Sequence, residues 1–184
     1  VGVSLAADGT FTVIPQASDQ ALDTGESRKI IFQFIANDGV SDSIPATMTV
    51  TITGVNDVPV VQNMSVTGTE DSAITGAVPA ASDIDVENVT YAAVGTLPVG
   101  VTFNADGTFS VAPQSADQGL DDGESRVVTF QYVANDGTVN SAPATVTVTI
   151  NGLNDAPIAS GTTATGSEDD SSITGAVPAA SDID

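Results

Sequence analysis

The 184 residues carry 24 Asp and Glu against 3 Lys and Arg, a formal net charge of −21, and 41% of them are hydrophobic. Such an acidic chain repels nucleic-acid backbones and anionic membrane surfaces. We therefore expect no nucleic-acid partner and no membrane insertion. Cys and His are both absent, which excludes disulfide bridges, Ser-His-Asp catalysis and most zinc chemistry.

An internal repeat organises the chain. Residues 1–59 return as residues 99–157 with most positions identical. The spacing of about 98 residues suits one autonomous domain and is too long for a solenoid repeat. We therefore expect the C-terminal part of one repeat at 1–59, a complete repeat at 60–157 and the N-terminal part of a third at 158–184. Such ends in mid-repeat predict a piece of a longer chain.

Short alternating segments separated by turn residues run through each repeat. Asp8-Gly9 and Asp106-Gly107 each lie between two such segments, which predicts β-hairpins. Both aspartates are expected to be plain turn residues. Further along, the run from Thr145 to Ile150 alternates Thr with aliphatic residues, as a strand with one buried face does.

No segment shows a 3.6-residue period, so these strands predict an all-β fold of antiparallel β-sandwiches. All six Phe and both Tyr lie in strand-like segments, and we expect them in the core. The predicted core of the complete repeat includes Phe109, Phe130, Tyr132, Val146, Val148 and Ile150.

A joint follows the last strand of each repeat. Gly54-Val55-Asn56-Asp57-Val58-Pro59 recurs as Gly152-Leu153-Asn154-Asp155-Ala156-Pro157. Gly and Pro end a ladder, and the Asn-Asp pair between them offers oxygen ligands on a short connection. This pattern predicts a joint between domains, although Asn-Asp-x-Pro alone also suits a simple turn.

Acidic residues recur in the same order around these joints. The candidates in the later copy are Glu70, Asp121 to Glu124, Asn154-Asp155 and Asp182-x-Asp184. Calcium takes six to eight oxygen ligands, and closely placed carboxylates repel each other until a cation lies between them. The ordered set therefore predicts Ca²⁺ as the cofactor. A solvated acidic surface is the alternative for any one of these residues.

The ordered motifs resemble the calcium-binding pattern of cadherin repeats. The Ala-Asp-Gly-Thr-Phe hairpin, the Leu-Asp-x-Gly-Glu-Ser loop and Gly-x-Asn-Asp-x-Pro are most similar to the cadherin-like repeats (VCBS and tandem-95 type) of large bacterial adhesins exported by type I secretion. The resemblance implies tandem cadherin-like or Ig-like sandwiches with calcium at each joint. The implied ligands are Asp23, Glu26, Asn56, Asp57, Asp83, Asp85 and Asp136 at the first joint and Glu70, Asp121, Glu124, Asn154, Asp155, Asp182 and Asp184 at the second.

Two departures from the cadherin pattern affect these ligands. The Leu-Asp-x-x-Glu loop is one residue longer than its cadherin counterpart, so Asp122 is an alternative to Glu124. The joint also lacks a leading Asp, which implies fewer ions at each joint.

The resemblance further implies a calcium-stiffened spacer of a bacterial cell-surface adhesin, serving attachment or biofilm formation, with neighbouring repeats of the same chain as partners. Two alternatives stay open. One is a segment of an extracellular filament in which incomplete sandwiches exchange strands with other copies. The other is a carbohydrate- or protein-binding module, which exposed aromatic residues would indicate. We expect no enzyme and no catalytic residue, because carboxylates that recur in every repeat favour a structural role.

Overall fold

The computed structural model describes residues 2–85 and 88–184, so Val1, Val86 and Glu87 of the predicted repeats lie outside the described residues. The strands are β1 (Gly2–Leu5), β2 (Phe11–Ile14), β3 (Ser27–Phe34), β4 (Ala46–Thr53), β5 (Met64–Thr69), β6 (Ile74–Ala77), β7 (Thr90–Val94), β8 (Val101–Phe103), β9 (Thr108–Val111), β10 (Ser125–Asn135) and β11 (Ala144–Asn151). Short 3₁₀ turns lie at Ala17–Asp19 and Asp117–Gly119. In these described ranges no helix is long and apolar enough to cross a membrane.

The chain divides into two compact units. Unit 1 comprises Val1–Val61, Ala80–Thr90 and Val133–Ala142, and unit 2 comprises Gln62–Pro79, Tyr91–Tyr132 and Pro143–Asp184. The first residue of β7, Thr90, and the last three residues of β10 therefore belong to unit 1. The units are compact bodies and not sequence repeats, so the boundaries at residues 59 and 157 stay a prediction.

Unit 2 contains the two sheets of a β-sandwich. One sheet has the strand order β5-β11-β10-β7 and the other β6-β9-β8. The pairs β10–β11, β6–β9 and β8–β9 are antiparallel, whereas β5 runs parallel to β11 with Met64 opposite Val146. The predicted all-β sandwich with antiparallel sheets is confirmed, with one parallel ladder that strand alternation alone does not reveal.

The core of unit 2 lies between these two sheets. Alternation along β11 directs Val146, Val148 and Ile150 inward, and all three are fully buried. The Phe130 ring contacts Phe103 and Phe109 edge to face, with ring centroids 5.6 and 5.7 Å apart. Tyr132 is buried as well, so the predicted core residues are confirmed as a group. Each such side chain contributes roughly 1.5–3 kcal/mol through its burial.

Unit 1 contains two small sheets, β1–β2 and β3–β4. The β3–β4 pair is antiparallel and places Phe32 opposite Met48. Phe11 lies 6.2 Å from Phe32 between ring centroids, yet Phe11 is 43% exposed and Phe34 is 39% exposed. The prediction that every aromatic residue lies in the core is therefore wrong for Phe11 and Phe34, because no further strand covers them in the described part of unit 1.

The two Asp-Gly hairpins form as predicted. Asp106 accepts hydrogen bonds from the Thr108 amide (2.9 Å) and hydroxyl (2.6 Å), and Gly107 takes a φ of +84°. Asp8 makes the same contacts with Thr10. These hydrogen bonds lower the pKa of both carboxyls. Both aspartates are turn residues whose acceptor atoms serve their own hairpins.

Candidate metal centres

A glycine at each joint lets an acidic loop lie directly against the joint. A Cβ atom on Gly152 would lie 2.3 Å from the carbonyl oxygens of Leu120 and Asp121, a distance that real Cβ atoms do not adopt. Gly54 makes the same approach in unit 1, at 2.2 Å. The Gly152 amide also donates to the carbonyl of Glu124 at 3.0 Å. Glycine is thus required where the Leu-Asp-x-x-Glu loop meets the joint.

We call the residues predicted for the first joint the first acidic cluster, and all of them belong to unit 1: Asp23, Glu26, Asn56, Asp57, Asp83, Asp85 and Asp136. The amide N–H of Asp57 donates to Asp85 Oδ2 at 2.6 Å. The side-chain amide of Asn56 donates to Asp136 Oδ2 at 3.1 Å. The structure therefore brings the Asn-Asp joint together with the Asp-x-Asp segment and with the turn that contains Asp136.

The carboxylates of the first acidic cluster differ in how well they are satisfied. Asp136 Oδ1 accepts from the amides of Val139 and Thr138, which hold its pKa below the ordinary value together with the Asn56 amide. Asp83 Oδ2 and Asp85 Oδ1 are buried, and neither has a hydrogen-bond partner among the described residues. Buried polar oxygens nearly always have a hydrogen-bond partner, so these two atoms are free to accept a hydrogen bond or to bind a cation.

The second acidic cluster lies in unit 2 and consists of the residues predicted for the second joint: Glu70, Asp121, Glu124, Asn154, Asp155, Asp182 and Asp184. Glu70 is 2% exposed. Its Oε1 accepts from the Leu153 amide at 2.6 Å, and its backbone carbonyl accepts from the Gln118 side chain. Its other carboxylate oxygen, Oε2, is buried and has no hydrogen-bond partner within residues 2–85 and 88–184. Glu70 thus places one unsatisfied carboxylate oxygen beside the joint.

Asp155 shows the electrostatic cost of this crowding. Its amide donates to Asp184 Oδ2 at 2.7 Å, which holds the C-terminal Asp-x-Asp segment against the joint. Burial raises the pKa of the Asp155 carboxyl, and the negative charges of Asp184, Asp71, Glu70 and Asp182 raise it further. Asp71 was absent from the predicted set, and its position next to Glu70 was the signal that could have included it.

The structure does not bring every predicted ligand inward. Glu26 and Glu124 are exposed, and each accepts from the amide of the aspartate that begins its own loop, at 3.3 Å for Asp23 and 3.2 Å for Asp121. Asp122 is also exposed. Across residues 2–85 and 88–184, no three acidic side chains converge on a point that would hold a metal ion. Both clusters lie at joints, and most of their carboxylates accept hydrogen bonds from backbone amides.

The sequence reasoning missed an ion pair in each unit, in which a buried aspartate meets a partly exposed arginine. Asp117 is 2% exposed, and its carboxylate accepts from the Gln114 amide and from Nε and Nη2 of Arg126, the last at 2.6 Å. Arg126 lowers the pKa of Asp117 against the opposing effect of burial. Asp19 and Arg28 form the same pair in unit 1. The recurrence of these residues at matching positions, with two of only three cationic side chains, was the available signal.

The ion pairs limit which positive charges of the chain can neutralise the acidic clusters. Arg28 and Arg126 are engaged by Asp19 and Asp117, and the third cationic residue, Lys29, is exposed on β3. The clusters offer carboxylate and amide oxygens without nitrogen or sulfur ligands, which is the donor set of a hard divalent cation such as Ca²⁺. The unpartnered buried oxygens fit the same cation.

The sandwich and its recurring acidic joints define a modular Ig-like protein. Residues 56–149 match the family described as bacterial Ig domain, and the chain belongs to that family. Among curated proteins, no sequence matches this chain.

Solved structures resemble the chain in fold. EC1-2 of human mucin-like protocadherin has a TM-score of 0.50 at 13% identity, covering 82% of this chain and 78% of that chain. Mouse clustered PcdhgC3 EC1-3 has a TM-score of 0.41 at 14% identity, covering 83% of this chain and 52% of that chain. An endo-fucoidan hydrolase of glycoside hydrolase family 107 has a TM-score of 0.39 at 18% identity, covering 82% of this chain and 22% of that chain. The chain thus spans 22% and 52% of the first two structures it matches, and the protocadherin likeness shows a cadherin-like β-sandwich.

Proposed function

We propose that this chain is part of a calcium-stiffened spacer of a bacterial extracellular adhesin. Ig-like domains in series would hold an adhesive region away from the cell surface and so serve attachment or biofilm formation. Membership of the bacterial Ig domain family supports the modular role. The acidic joints support the calcium, and their motif order supports the narrower assignment to VCBS-type repeats of adhesins exported by type I secretion.

The observation that carries this proposal is the environment of Glu70. Its side chain is almost fully buried, one oxygen accepts from the Leu153 amide, and the other oxygen has no partner in the part of the chain that the structure describes. A buried carboxylate with only one of its two oxygens hydrogen-bonded is unfavourable, and a nearby counter-charge would stabilise it. Since both arginines are already paired and Lys29 is exposed on β3, we infer that a bound cation supplies that counter-charge.

The chain's own residues have different roles at the second joint. Glu70 and Asp155 supply charged oxygens from the end of β5 and from the joint, while Asp184 reaches the joint from the following segment. Calcium, when bound, supplies the positive charge that cancels the repulsion among these groups. With that repulsion cancelled, segments on either side of the joint are held together, and the joint loses freedom to bend.

Calcium titration calorimetry on the whole chain tests the proposal. The wild type should bind Ca²⁺, and Glu70→Gln should weaken binding at the second acidic cluster by about tenfold or more, because the amide keeps the shape of the side chain and removes its charge. Glu168→Gln is the matched control, since Glu168 occupies the equivalent position in the later copy and is exposed. No binding by the wild type, or equal binding by wild type and Glu70→Gln, would refute the site.

Small-angle scattering tests the stiffening separately. We expect the wild type in calcium to show a larger radius of gyration and a narrower distribution of sizes than in chelator. Asp85→Asn, which weakens the first acidic cluster, should reduce that difference, while Asp106→Asn should keep it because Asp106 serves only its hairpin. A calcium-bound protein that scatters as it does in chelator would separate binding from any spacer role.

We include no catalytic role in this proposal. The acidic groups recur at both joints, as structural elements do. The exposed Phe11 and Phe34 also give little support to a carbohydrate-binding face. Their equivalents in unit 2, Phe109 and Tyr132, are 3% and 0% exposed, so these are core positions without a cover.

A further inference from the structure

Glu70, the central residue of the proposed calcium site, is also held through its backbone. It is the first residue after β5, and its N–H donates to the carbonyl of Asn151 at 3.2 Å, which extends the pairing with β11. Its carbonyl oxygen accepts from the side-chain amide of Gln118 at 2.5 Å. All three residues belong to unit 2. Strand ends fray more readily than strand interiors, so the Gln118 amide acts at the point where β5 would otherwise loosen.

The carbonyl that Gln118 holds belongs to the peptide between two acidic residues. Glu70 precedes this peptide and Asp71 follows it. Because a peptide unit is planar, fixing its carbonyl constrains the backbone on both sides and so the directions of both side chains. The Glu70 carboxylate then accepts from the Leu153 amide at 2.6 Å, and the charge of Asp71 helps to raise the pKa of Asp155. Since the Gln118 amide is neutral, it holds the peptide without cancelling the charge of the cluster.

Gln118 lies on a turn that is closed by its own backbone. It is half-buried in the 3₁₀ turn Asp117–Gly119. The N–H of Asp117 donates to the carbonyl of Gln114 at 2.9 Å, and the N–H of Leu120 donates to the carbonyl of Asp117 at 3.1 Å. These backbone hydrogen bonds are separate from the side-chain ion pair with Arg126. The turn therefore provides a fixed base for the Gln118 side chain.

The same turn leads into the acidic loop of the second joint. Leu120 and Asp121 follow it, and a Cβ atom on Gly152 would lie 2.3 Å from the carbonyl oxygens of both. Gln118 therefore connects two segments of the second acidic cluster, the end of β5 with Glu70 and the loop that contains Asp121. Segments that are already held at a fixed spacing need less ordering when a ligand binds between them.

We propose that Gln118 is a positioning residue of the second acidic cluster, which orients the Glu70 carboxylate and does not itself bind the cation. This inference rests on the calcium site proposed above. Residues that hydrogen-bond to metal ligands orient them, and their loss weakens metal binding by about tenfold or more. Gln118 acts on the backbone of Glu70 and not on its carboxylate. Glu70 Oε1 therefore stays with the Leu153 amide, and Oε2 stays free for a cation.

Hydrogen exchange of the Leu153 amide in chelator tests the positioning without any metal. Gln118→Met keeps the length of the side chain and removes its donor. The Leu153 amide should then exchange roughly three- to tenfold faster, as expected when one hydrogen bond is weakened, while the amides inside β11 keep their wild-type rates. Gln114→Met is the matched control, because the Gln114 side chain donates to a backbone carbonyl two residues away. Unchanged exchange in Gln118→Met, or equal acceleration in both variants, would contradict the proposal.

A double-mutant cycle on calcium binding tests whether Gln118 acts through Glu70. Calorimetry on the whole chain should show that Gln118→Met weakens binding at the second acidic cluster by about tenfold. In a Glu70→Gln background, the same change should alter binding by less than about twofold, because the carboxylate that Gln118 positions is gone. Equal weakening in both backgrounds would mean that Gln118 binds the cation itself or acts on the fold as a whole, and would overturn the proposal.

The calcium site and the role of Gln118 fail in different ways. A wild type that binds no calcium refutes the site, and the exchange of the Leu153 amide alone then decides whether Gln118 positions Glu70. A different result keeps the site and overturns the role of Gln118. In that case the wild type binds calcium, Glu70→Gln weakens the binding, and Gln118→Met binds as tightly as the wild type and Gln114→Met do.

Discussion

The β3–β4 pair of unit 1 and the β10–β11 pair of unit 2 have nearly the same sequence and different surroundings. Their registers coincide, with Phe32 opposite Met48 in one and Phe130 opposite Val146 in the other. Yet Phe130 and Val146 are buried, while Phe32 and Met48 are only half-buried. The difference teaches that the hairpin pairing is local, whereas burial depends on the strands that flank it.

The largest expected effect comes from removing the aromatic ring at equivalent positions of the two units. Phe130→Ala should destabilise unit 2 by about 3–5 kcal/mol, because Phe130 packs against Phe103 and Phe109. Phe32→Ala should cost clearly less, since its surroundings are open. Denaturant unfolding followed by tyrosine fluorescence measures the first change, because both tyrosines lie in unit 2 and the chain has no Trp.

Hydrogen exchange along β3 and β4 measures the second change. Equal losses in the two units would mean that unit 1 is covered in solution as fully as unit 2.

A smaller effect is expected from the ion pairs, which the two units share. Asp117→Asn should destabilise unit 2 by about 2 kcal/mol, less than for a fully buried pair because Arg126 is partly open to solvent. Asp19→Asn should weaken the corresponding region of unit 1. Since this contact joins a 3₁₀ turn to the start of the neighbouring strand, both variants should keep their calcium binding in the titration. Loss of calcium binding in Asp117→Asn would show that the pair also positions the joint.

The smallest effect is a dependence on pH. Arg126 lowers the pKa of Asp117 below its ordinary value of 3.8. A carboxyl with a depressed pKa in the folded state stabilises it above the unfolded pKa, and that stability is lost as the pH falls through the folded pKa. In chelator, unit 2 of the wild type should therefore lose stability below about pH 4, and Asp117→Asn should show a shallower slope. Identical slopes would mean that the pair does not form in solution.

Much of the fold follows from alternation and turn chemistry. The Thr-aliphatic run of β11 and the Asp106-Gly107 hairpin have partners that lie close in sequence, so their pattern alone determines them. The parallel β5–β11 ladder joins strands far apart in sequence, and alternation carries no information on their direction. For the same reason the exposure of Phe11 and Phe34 was not predictable from their own segments.

The candidate sites divide in the same way. The clustering of the Asn-Asp joints with the Asp-x-Asp segments follows from their recurrence, and the hydrogen bonds from the Asp57 and Asp155 amides realise it. Recurrence does not say where a flexible side chain turns. Glu124 accordingly accepts from its own loop, while Glu70 is buried beside the joint.

The most direct test of the account compares the free energy of unfolding of unit 2 in calcium and in chelator. The wild type should gain roughly 2.7 kcal/mol when calcium is present at a hundred times its dissociation constant. Glu70→Gln should match or exceed the wild type in chelator, because it buries a neutral amide in place of a carboxylate with one unsatisfied oxygen, and should gain little on adding calcium. Glu168→Gln should behave as the wild type does. A wild type that gains nothing from calcium, or a Glu70→Gln variant that gains as much as the wild type, would contradict the claim that the joint of unit 2 is a calcium site.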